Sequence, residues 1–502
     1  MFIYQNSNNM IRFSYICIFF ILLTLVSCKR FEEFNQNPNE PTQVSPDVLL
    51  PASIRTSVFN AVDASFLIGN NAAQLTAKTL RLEVDAYNWN AFPTVWENWY
   101  TSLTDVSSFE ALAISSGNTN LEAVAIILRC WIFSSLTNAY GDIPYFEAIQ
   151  GTSNNFTPAY TSQSVIYSDI LSELERANTL FASGTGAIEG DILLNGDASK
   201  WRKFGNSLRL RLLMTASNQL PSTASQFAAI VNNEMIISSN ADNVALTYTG
   251  SFPNEFPLVP LKAGDFDAVA ISQTSLDVMT NYQDPRLMRY ARPNNEDFTN
   301  NPEFLGAING QGASCTKDGA SRLGVQYYDY PDLTKSETLG LSKAEGIIMT
   351  YAEVSFLLAE AAAKGWISAD VETHYRNGIE ASMDYYSVDY APFGWTDFSD
   401  FYTNSGVAYS QTTDIWEQKW LALFFHGLEP YFELRRWYFE GGMSFDGLPF
   451  IGASCENLNN NQLPLKFLYP GEEQSLNSEN YQNAINSMGG SNSQNATMWL
   501  MQ

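Results

Sequence analysis

Apolar side chains recur at helical spacing over most of the chain. Residues 121–139 are apolar on nearly every face, which predicts a buried helix with Asn120 as its N-cap and Arg129 as its interruption. Shorter apolar stripes, each with a polar face, predict further helices at 165–181, 201–213, 349–364, 371–383, 413–426 and 430–440. The pattern therefore predicts a mainly α fold.

Two of these predicted helices, 349–364 and 371–383, are joined by a short turn, and this spacing predicts a helical hairpin. In the first helix, Val354 and Leu357 lie on the apolar face, whereas Glu353 and Glu360 lie on the opposite face, and Gly365 ends the helix. The pair resembles a tetratricopeptide-type hairpin, although no regular repeat continues along the chain. We therefore predict a tetratricopeptide-like helical-hairpin scaffold with long irregular loops and a few short strands.

The helical pattern fades between about residues 240 and 346. Pro, Gly, Asn and Asp separate short stretches that contain aromatic residues. This composition predicts long loops with a few short strands. Long loops on a rigid scaffold are common positions for binding sites.

The N-terminus carries an export signal. Arg12 precedes an apolar run at 13–26, which is shorter than the about 20 residues needed to span a bilayer. The run ends in Leu25-Val26-Ser27-Cys28, which resembles a bacterial lipobox. We therefore expect a signal peptide at 1–27, acylation of Cys28, a polar tether over 28–46 and one domain over 47–502. The alternative is an ordinary signal peptide that ends near a cysteine.

Net charge and cysteine content limit the possible partners. The formal charge of −26 argues against nucleic acid, whose phosphates an acidic surface repels. Docking to lipid headgroups by charge is disfavoured for the same reason. Beyond Cys28, the remaining cysteines of the exported chain are Cys130, Cys315 and Cys455, with no zinc-type spacing. At most one disulfide can form among them, and buried free thiols are the favoured interpretation.

Several short motifs occur in a characteristic order. They are 140–145 (YGDIPY), 283–287 (QDPRL), 351–361 (YAEVSFLLAEA), 418–423 (QKWLAL) with Arg435-Arg436, and Tyr469-Pro470 with Glu473, Asn480 and Tyr481. Together with the lipobox and the Asn/Pro-rich start at 35–41, they resemble the SusD/RagB family of outer-membrane nutrient-binding lipoproteins. The resemblance covers essentially the whole exported chain.

This resemblance implies a fold and a role. It implies one domain on a tetratricopeptide-like scaffold, held at the outer membrane by N-terminal acyl chains and exposed at the cell surface. It also implies that the protein captures oligosaccharides, or another nutrient polymer such as peptides, and delivers them to a SusC-like TonB-dependent transporter. No catalysis, cofactor or metal is expected.

Two aromatic and polar clusters are candidates for the ligand site, because aromatic faces stack on sugar rings while amides and carboxylates bind hydroxyls. The first comprises Asp85, Tyr87, Asn88 and Trp89, and the second comprises Tyr327, Tyr328 and Tyr330. For both clusters the alternative is packing against the scaffold. The remaining conspicuous groups are assigned structural roles: Asp284-Pro285-Arg286 as a turn, Arg435-Arg436 as partners of Glu429, Glu433 or Asp284, and His374 and His426 as isolated side chains.

Three functions are consistent with the sequence. The first is glycan binding with a TonB-dependent transporter, and the others are a surface glycoside hydrolase and a tetratricopeptide-type protein-interaction scaffold. The sequence contains no nucleophile elbow, zincin motif or phosphate-binding loop. A pair of catalytic carboxylates need not be adjacent in sequence, so the hydrolase alternative requires structural evidence.

Overall fold

Helices account for most of the structure, which confirms the predicted mainly α class. The computed structural model describes residues 45–250, 254–328 and 344–502. The predicted signal peptide, Cys28, most of the tether and Tyr330 lie outside these ranges. The helices of six or more residues are α1 Pro46–Ala64, α2 Pro93–Ser116, α3 Thr119–Tyr140, α4 Gln163–Ala182, α5 Ala198–Thr215, α6 Thr223–Asn233, α7 Gln273–Tyr282, α8 Tyr351–Ala363, α9 Val371–Tyr385, α10 Phe398–Asn404, α11 Thr412–Ala422, α12 Glu429–Glu440, α13 Gly471–Leu476 and α14 Ser478–Ser487.

Over the described ranges, the strands are short and pair in three antiparallel ribbons. Each ribbon has two strands, and the members of each pair are far apart in the chain or joined by a loop. The strands are β1 Thr76–Lys78, β2 Ile143–Pro144, β3 Tyr160–Thr161, β4 Val244–Leu246, β5 Val269–Ile271 and β6 Gly346–Met349, paired as β1 with β5, β2 with β3 and β4 with β6. They fasten loops to the helical scaffold and do not form a sheet core.

Helix α3 is the central core helix. It is long and apolar enough to cross a bilayer, but 94% of its most apolar window is buried inside the protein. The prediction of a buried helix is therefore confirmed. Its N-cap is Asn118, not Asn120: the Asn118 side chain accepts a hydrogen bond from the Leu121 amide at 3.1 Å. The Asn120 side chain instead donates to the Gly186 carbonyl at 2.7 Å, which ties the helix start to the loop after α4.

Helices α8 and α9 form the predicted hairpin. Gly365 follows α8 with a positive φ of 72°, a conformation that ends a helix at little cost for glycine. Gly378 on α9 faces the Phe356 ring, and a Cβ at this position would lie 2.7 Å from the ring. A glycine is therefore needed at Gly378 for the two helices to approach as closely as they do.

In the described part of the region predicted as irregular, one helix of six or more residues forms that the sequence pattern did not indicate. Helix α7 begins after Ser272, whose hydroxyl accepts a hydrogen bond from the Thr274 amide at 3.0 Å. Its buried positions are Ser275, Leu276 and Met279, so its apolar stripe comprises only two large side chains. A stripe this narrow does not stand out from loop sequence.

Charged side chains occupy the interface between α5, α8, α11 and α12, contrary to the predicted polar face of α8. Glu353 and Glu360 are buried, at 1% and 0% exposure, because both pair with arginines from other helices. Glu353 binds Arg211 at 2.6 Å, and Glu360 binds Arg436 at 2.7 Å. The Arg436 side chain also binds Glu433 at 2.7 Å, as the sequence led us to expect for one of these partners.

Two cysteines that were predicted to be free thiols form a disulfide. Cys315 and Cys455 are bonded across a sequence separation of 140 residues, with their Cα atoms 6.5 Å apart. The prediction was wrong for these two because no local pattern links positions so distant. It was right for Cys130, which is a buried free thiol on α3.

Candidate functional site

The first predicted cluster folds as a loop whose aromatic rings point inward. Tyr87 is fully buried, and its hydroxyl donates to the Ala72 carbonyl at 3.0 Å. Trp89 is 5% exposed, and its indole N–H donates to the Val84 carbonyl at 3.1 Å. Asp85 is also buried, which raises its pKa to about 7, whereas Asn88 is exposed. This geometry favours the packing alternative for the two rings, and their ligand-binding role stays a prediction.

The second predicted cluster is likewise packed inside. Tyr327 stacks on Phe425 with ring centroids 4.4 Å apart, and it is 2% exposed. Tyr328 stacks on Phe266 at 4.4 Å, and its hydroxyl donates to the Leu261 carbonyl at 2.8 Å. These described contacts involve different residues from those that the 85–89 loop contacts. The two predicted clusters therefore do not combine into one site. A ligand-binding role for these tyrosines also remains a prediction.

A large open cleft lies beside the first cluster instead. Its volume is about 740 Å³, within the range of small-molecule sites. It is bounded by the C-terminal part of α12, the 3-10 turn Phe445–Gly447 and the segment that follows. The lining residues are Tyr438, Met443, Ser444, Phe445, Asp446, Ile451, Gly452, Ala453, Ser454, Cys455, Asn460, Asn461 and Gln462.

The backbone around this cleft is held in an uncommon conformation. Met443, Asn460 and Asn461 have φ values of 61°, 54° and 60°, in the left-handed region. Asparagine tolerates this region better than most residues, but an unbranched apolar residue such as Met443 does not favour it. Strained backbone concentrates at functional sites, so the left-handed conformation of Met443 supports a binding role for the cleft.

The predicted loop supports the wall of the cleft. The Gln74 side chain donates to the Gly452 carbonyl at 2.7 Å and to the Tyr87 hydroxyl at 3.2 Å. Further along the wall, the Leu458 amide donates to the Ala86 carbonyl at 2.7 Å. The 85–89 loop therefore lies directly behind the cleft, although its buried rings do not line it.

The cleft offers hydroxyl, amide and aromatic groups. Asn460, Asn461 and Gln462 contribute exposed amides, and the half-buried Phe445 ring lies 5.0 Å from the Tyr438 ring. Burial raises the pKa of Tyr438, which keeps its phenol neutral. Ser454 also lines the cleft, and its buried hydroxyl has no hydrogen-bond partner among the described residues. These groups can bind hydroxyls and contact a flat apolar face, as the chemistry of a sugar requires.

The lining of the cleft contains few charged side chains. Among the described residues that line the cleft, Asp446 is the only one with a carboxylate, and none is a lysine, arginine or histidine. A second open cavity of about 300 Å³ is different, because it is lined by Arg292, Glu296 and Arg322. There Arg292 pairs with Glu296, and Arg322 pairs with Asp267 at 2.8 Å. We therefore assign the candidate ligand site to the larger cleft.

The histidines and acidic side chains do not assemble into a metal centre within the described ranges. No group of three or more His, Cys, Asp or Glu residues there has suitable geometry. His426 is buried on the scaffold, where burial lowers its pKa to about 4, and it lies within hydrogen-bond distance of the Thr350 hydroxyl and the Phe424 carbonyl. His374 lies on α9, in a different part of the scaffold.

Sequence reasoning missed the cleft because its lining has no periodicity. The available indication was the composition of residues 441–462, where Gly441-Gly442 and Asn459-Asn460-Asn461 accumulate residues that tolerate left-handed backbone. Such a segment is ordinarily interpreted as a connecting loop. Only the folded chain shows that it encloses a volume.

Comparison with known proteins identifies the class to which this helical-hairpin scaffold belongs. Residues 38–470 match the sequence profile of the SusD-like family described as starch-binding and associating with the outer membrane. The chain therefore belongs to the SusD-like family. A sequence comparison with curated proteins gives no significant match.

Solved structures agree with this assignment. A SusD homologue from Bacteroides fragilis is 25% identical, with a TM-score of 0.74 over 92% of this chain and 100% of its own. An outer-membrane protein from Bacteroides vulgatus, described as involved in nutrient binding, is 27% identical, with a TM-score of 0.74 over 91% and 100% of the two chains. A chitin-binding SusD homologue from Flavobacterium johnsoniae shares the fold at 18% identity, with a TM-score of 0.71 over 90% and 98%.

Proposed function

We propose that this protein binds oligosaccharides at the outer-membrane surface and delivers them to a SusC-like TonB-dependent transporter. The observation that carries the proposal is the 740 Å³ cleft, whose lining combines amides, hydroxyls and aromatic rings on the scaffold of a starch-binding family. The fold alone does not define a function, since one fold serves many. The chemistry of the cleft is therefore the main support.

The charge of the cleft favours a neutral glycan. Within the part of the chain that the structure describes, Asp446 is the only charged side chain of the lining, and the whole chain carries −26. A sulfated or uronic-acid-rich chain would meet a like charge with no compensating cation, and such an arrangement is unfavourable. Neutral glucans and N-acetylated glycans carry no such penalty.

Binding is expected to depend on Phe445 and Asn461. Phe445→Ala removes an aromatic face, and Asn461→Gly removes an amide while it preserves the left-handed backbone. We expect each to weaken binding of maltoheptaose or N-acetylchitohexaose about tenfold, or about 1.4 kcal/mol. Isothermal titration with the chain that starts at residue 29 measures the effect.

Matched controls lie outside the cleft. Leu476→Ala removes an apolar side chain that is 72% exposed on α13. Asn195→Gly replaces an exposed asparagine whose φ is also positive, at 57°. Both controls should bind as the wild type does. If Phe445→Ala and Asn461→Gly bind as tightly as the controls, the cleft is not the glycan site.

The proposal includes a lipid anchor at Cys28. The Leu25–Cys28 motif and the outer-membrane association of the family support cleavage before Cys28 and acylation of that residue. Two or more acyl chains give a durable membrane anchor. Mass spectrometry of the protein extracted from membranes should show an acylated N-terminal Cys28, and an unmodified Cys28 would contradict the proposal.

Delivery to a transporter can be separated from a scaffold function by the identity of the partner. Pull-down from detergent-solubilised membranes should recover a TonB-dependent barrel as the dominant partner. Tethering both proteins to one membrane would raise their effective concentration and favour the encounter. Recovery of soluble proteins alone, together with no glycan binding, would support the protein-interaction alternative.

The proposed role is binding without catalysis. Glycoside hydrolysis ordinarily uses two carboxyl groups about 5–10 Å apart on either side of the scissile bond. Asp446 is the single carboxylate that lines the cleft, so the lining does not supply the pair. We expect no release of reducing ends when the protein is incubated with starch or chitin. Turnover that one Asp or Glu substitution abolishes would contradict this expectation.

A further inference from the structure

We infer that the Cys315–Cys455 disulfide is the positioning element of the cleft, which holds one wall in the conformation that binds glycan. The inference rests on the proposed function for its binding readout. Its structural part, the control of loop order by the disulfide, is independent of any ligand. Loss of the disulfide would lower the affinity of the cleft for glycan without any change in the helical scaffold.

The disulfide lies at the cleft itself. Cys455 lines the cleft and is exposed, while Cys315 is half-buried in the loop 311–318. The bond joins these two segments across 140 residues of sequence. It therefore connects the wall of the site to a loop that packs behind it.

Neither segment contains much regular secondary structure. The loop 311–318 contains no helix or strand, and residues 441–470 contain only the 3-10 turn Phe445–Gly447. Segments without secondary structure rely on external contacts to keep one conformation, and those with few such contacts open at low free energy. The position of the wall is thus set by what fastens it to its neighbours.

Between these two segments, the described links other than the disulfide are hydrogen bonds. The Cys455 amide donates to the Asn309 carbonyl at 2.9 Å, and the Glu456 amide donates to the Gly310 carbonyl at 2.9 Å. The Ser314 amide and hydroxyl donate to one Glu456 carboxylate oxygen at 3.3 and 3.0 Å. Each such bond contributes about 0.5–1.5 kcal/mol, because water competes for the same groups. The disulfide is the covalent link between the two segments, and water cannot replace it.

The fit between the segments is close, so a small displacement changes it. A Cβ at Gly312 would lie 1.9 Å from the Glu456 carboxylate, and a Cβ at Gly310 would lie 3.1 Å from the Ser454 Cβ. Ser454 is one of the residues that line the cleft. Release of the 311–318 loop would therefore disturb the position of a group that we assign to the site.

The disulfide also stabilises the fold, and this effect has to be distinguished from positioning. A cross-link over a long loop raises stability mainly by restricting the unfolded chain. That effect lowers the melting temperature when the bond is lost, but it does not alter the affinity of the folded protein. Affinity and local exchange are therefore the readouts that identify positioning.

Two preparations break the bond. One is the Cys315→Ser/Cys455→Ser double variant, and the other is the wild type treated with dithiothreitol. In the second, the dithiol supplies two electrons and two protons, which convert the disulfide to two thiols, and the reagent becomes a cyclic disulfide. The reduced wild type keeps the experiment decisive if the double variant does not fold.

Hydrogen exchange and titration test the inference on the full exported chain. We expect exchange in 310–318 and 452–462 to accelerate at least tenfold, with no change in α8 and α9. We also expect the affinity for maltoheptaose or N-acetylchitohexaose to fall at least tenfold. Cys130→Ala is the control, because it removes a buried thiol from α3 and should lower the melting temperature without either change.

The experiment distinguishes failure of this inference from failure of the proposed function. Unchanged exchange in both segments after the bond is broken would overturn the inference, as would an unchanged affinity for an oligosaccharide that the wild type binds. If the wild type binds neither oligosaccharide, the proposed function fails for these two ligands. The exchange measurement then still decides whether the disulfide positions the wall.

Discussion

Replacing Arg436 with methionine is expected to lower the free energy of unfolding by about 3 kcal/mol. The guanidinium lies between Glu360, Glu433 and Glu440, at 2.7, 2.7 and 2.8 Å, and is itself 5% exposed. Its loss leaves buried carboxylates without their main partner. This loss of stability is at the lower end of the range expected when a buried ion pair is broken. The reason is that Lys419 remains 2.7 Å from Glu433.

The effect should depend on pH. Burial opposes ionisation of Glu433, but the charge of Arg436 outweighs it, with Lys419 contributing further, and the pKa falls to about 2. A carboxyl with a depressed folded-state pKa contributes stability that is present above its unfolded pKa of about 4.5 and is lost as pH falls toward 2. The wild type should therefore lose stability over this interval. Arg436→Met should lose less, since much of the charge that depresses the pKa is gone.

A matched control separates burial from charge pairing. Arg176 also bridges two glutamates, Glu122 and Glu173, at 2.6 and 3.0 Å, but its side chain is 40% exposed. Arg176→Met should cost less than about 1 kcal/mol, as exposed ion pairs do. Urea unfolding of both variants measures the difference. Equal losses would show that the Arg436 pairs are not stronger than surface pairs.

This charge network also shows where sequence reasoning reaches its limit for the fold. The helices could be predicted because their stripes repeat every three to four residues, which is a local property. Glu353 and Glu360 were placed on a solvent face, since two glutamates on one side of a helix usually face water. Their partners Arg211 and Arg436 are 142 and 76 residues away, and nothing local to α8 indicates them.

The same limit applies more strongly to the site. The aromatic loop at 85–89 was identified as important from its composition, and the structure places it against the wall of the cleft. Which side chains line the cleft is decided largely by segment 443–462, which contains left-handed residues and a disulfide to Cys315. Composition can indicate that a loop is special. It does not indicate which of its rings points inward.

The adjacent residues Trp89 and Asn88 provide the second test with a large expected effect. Trp89 contacts the rings of Phe92, Tyr431 and Phe467, with centroids 5.6, 5.2 and 5.3 Å away. Truncation of a buried aromatic residue removes its apolar contacts and leaves a cavity. Trp89→Ala should therefore lower the free energy of unfolding by about 3–5 kcal/mol.

Asn88→Ala is the matched neighbour, because the Asn88 side chain is exposed and is not part of the packed ring cluster. It should change the stability by less than about 0.5 kcal/mol, as surface substitutions usually do. Urea unfolding and titration with maltoheptaose or N-acetylchitohexaose, measured on both variants, decide between the two roles of the loop. If Trp89→Ala loses stability and the remaining folded protein keeps its affinity, Trp89 supports the cleft without touching glycan. If it instead loses affinity with no loss of stability, Trp89 contacts the ligand directly, and the loop must then open to expose the ring.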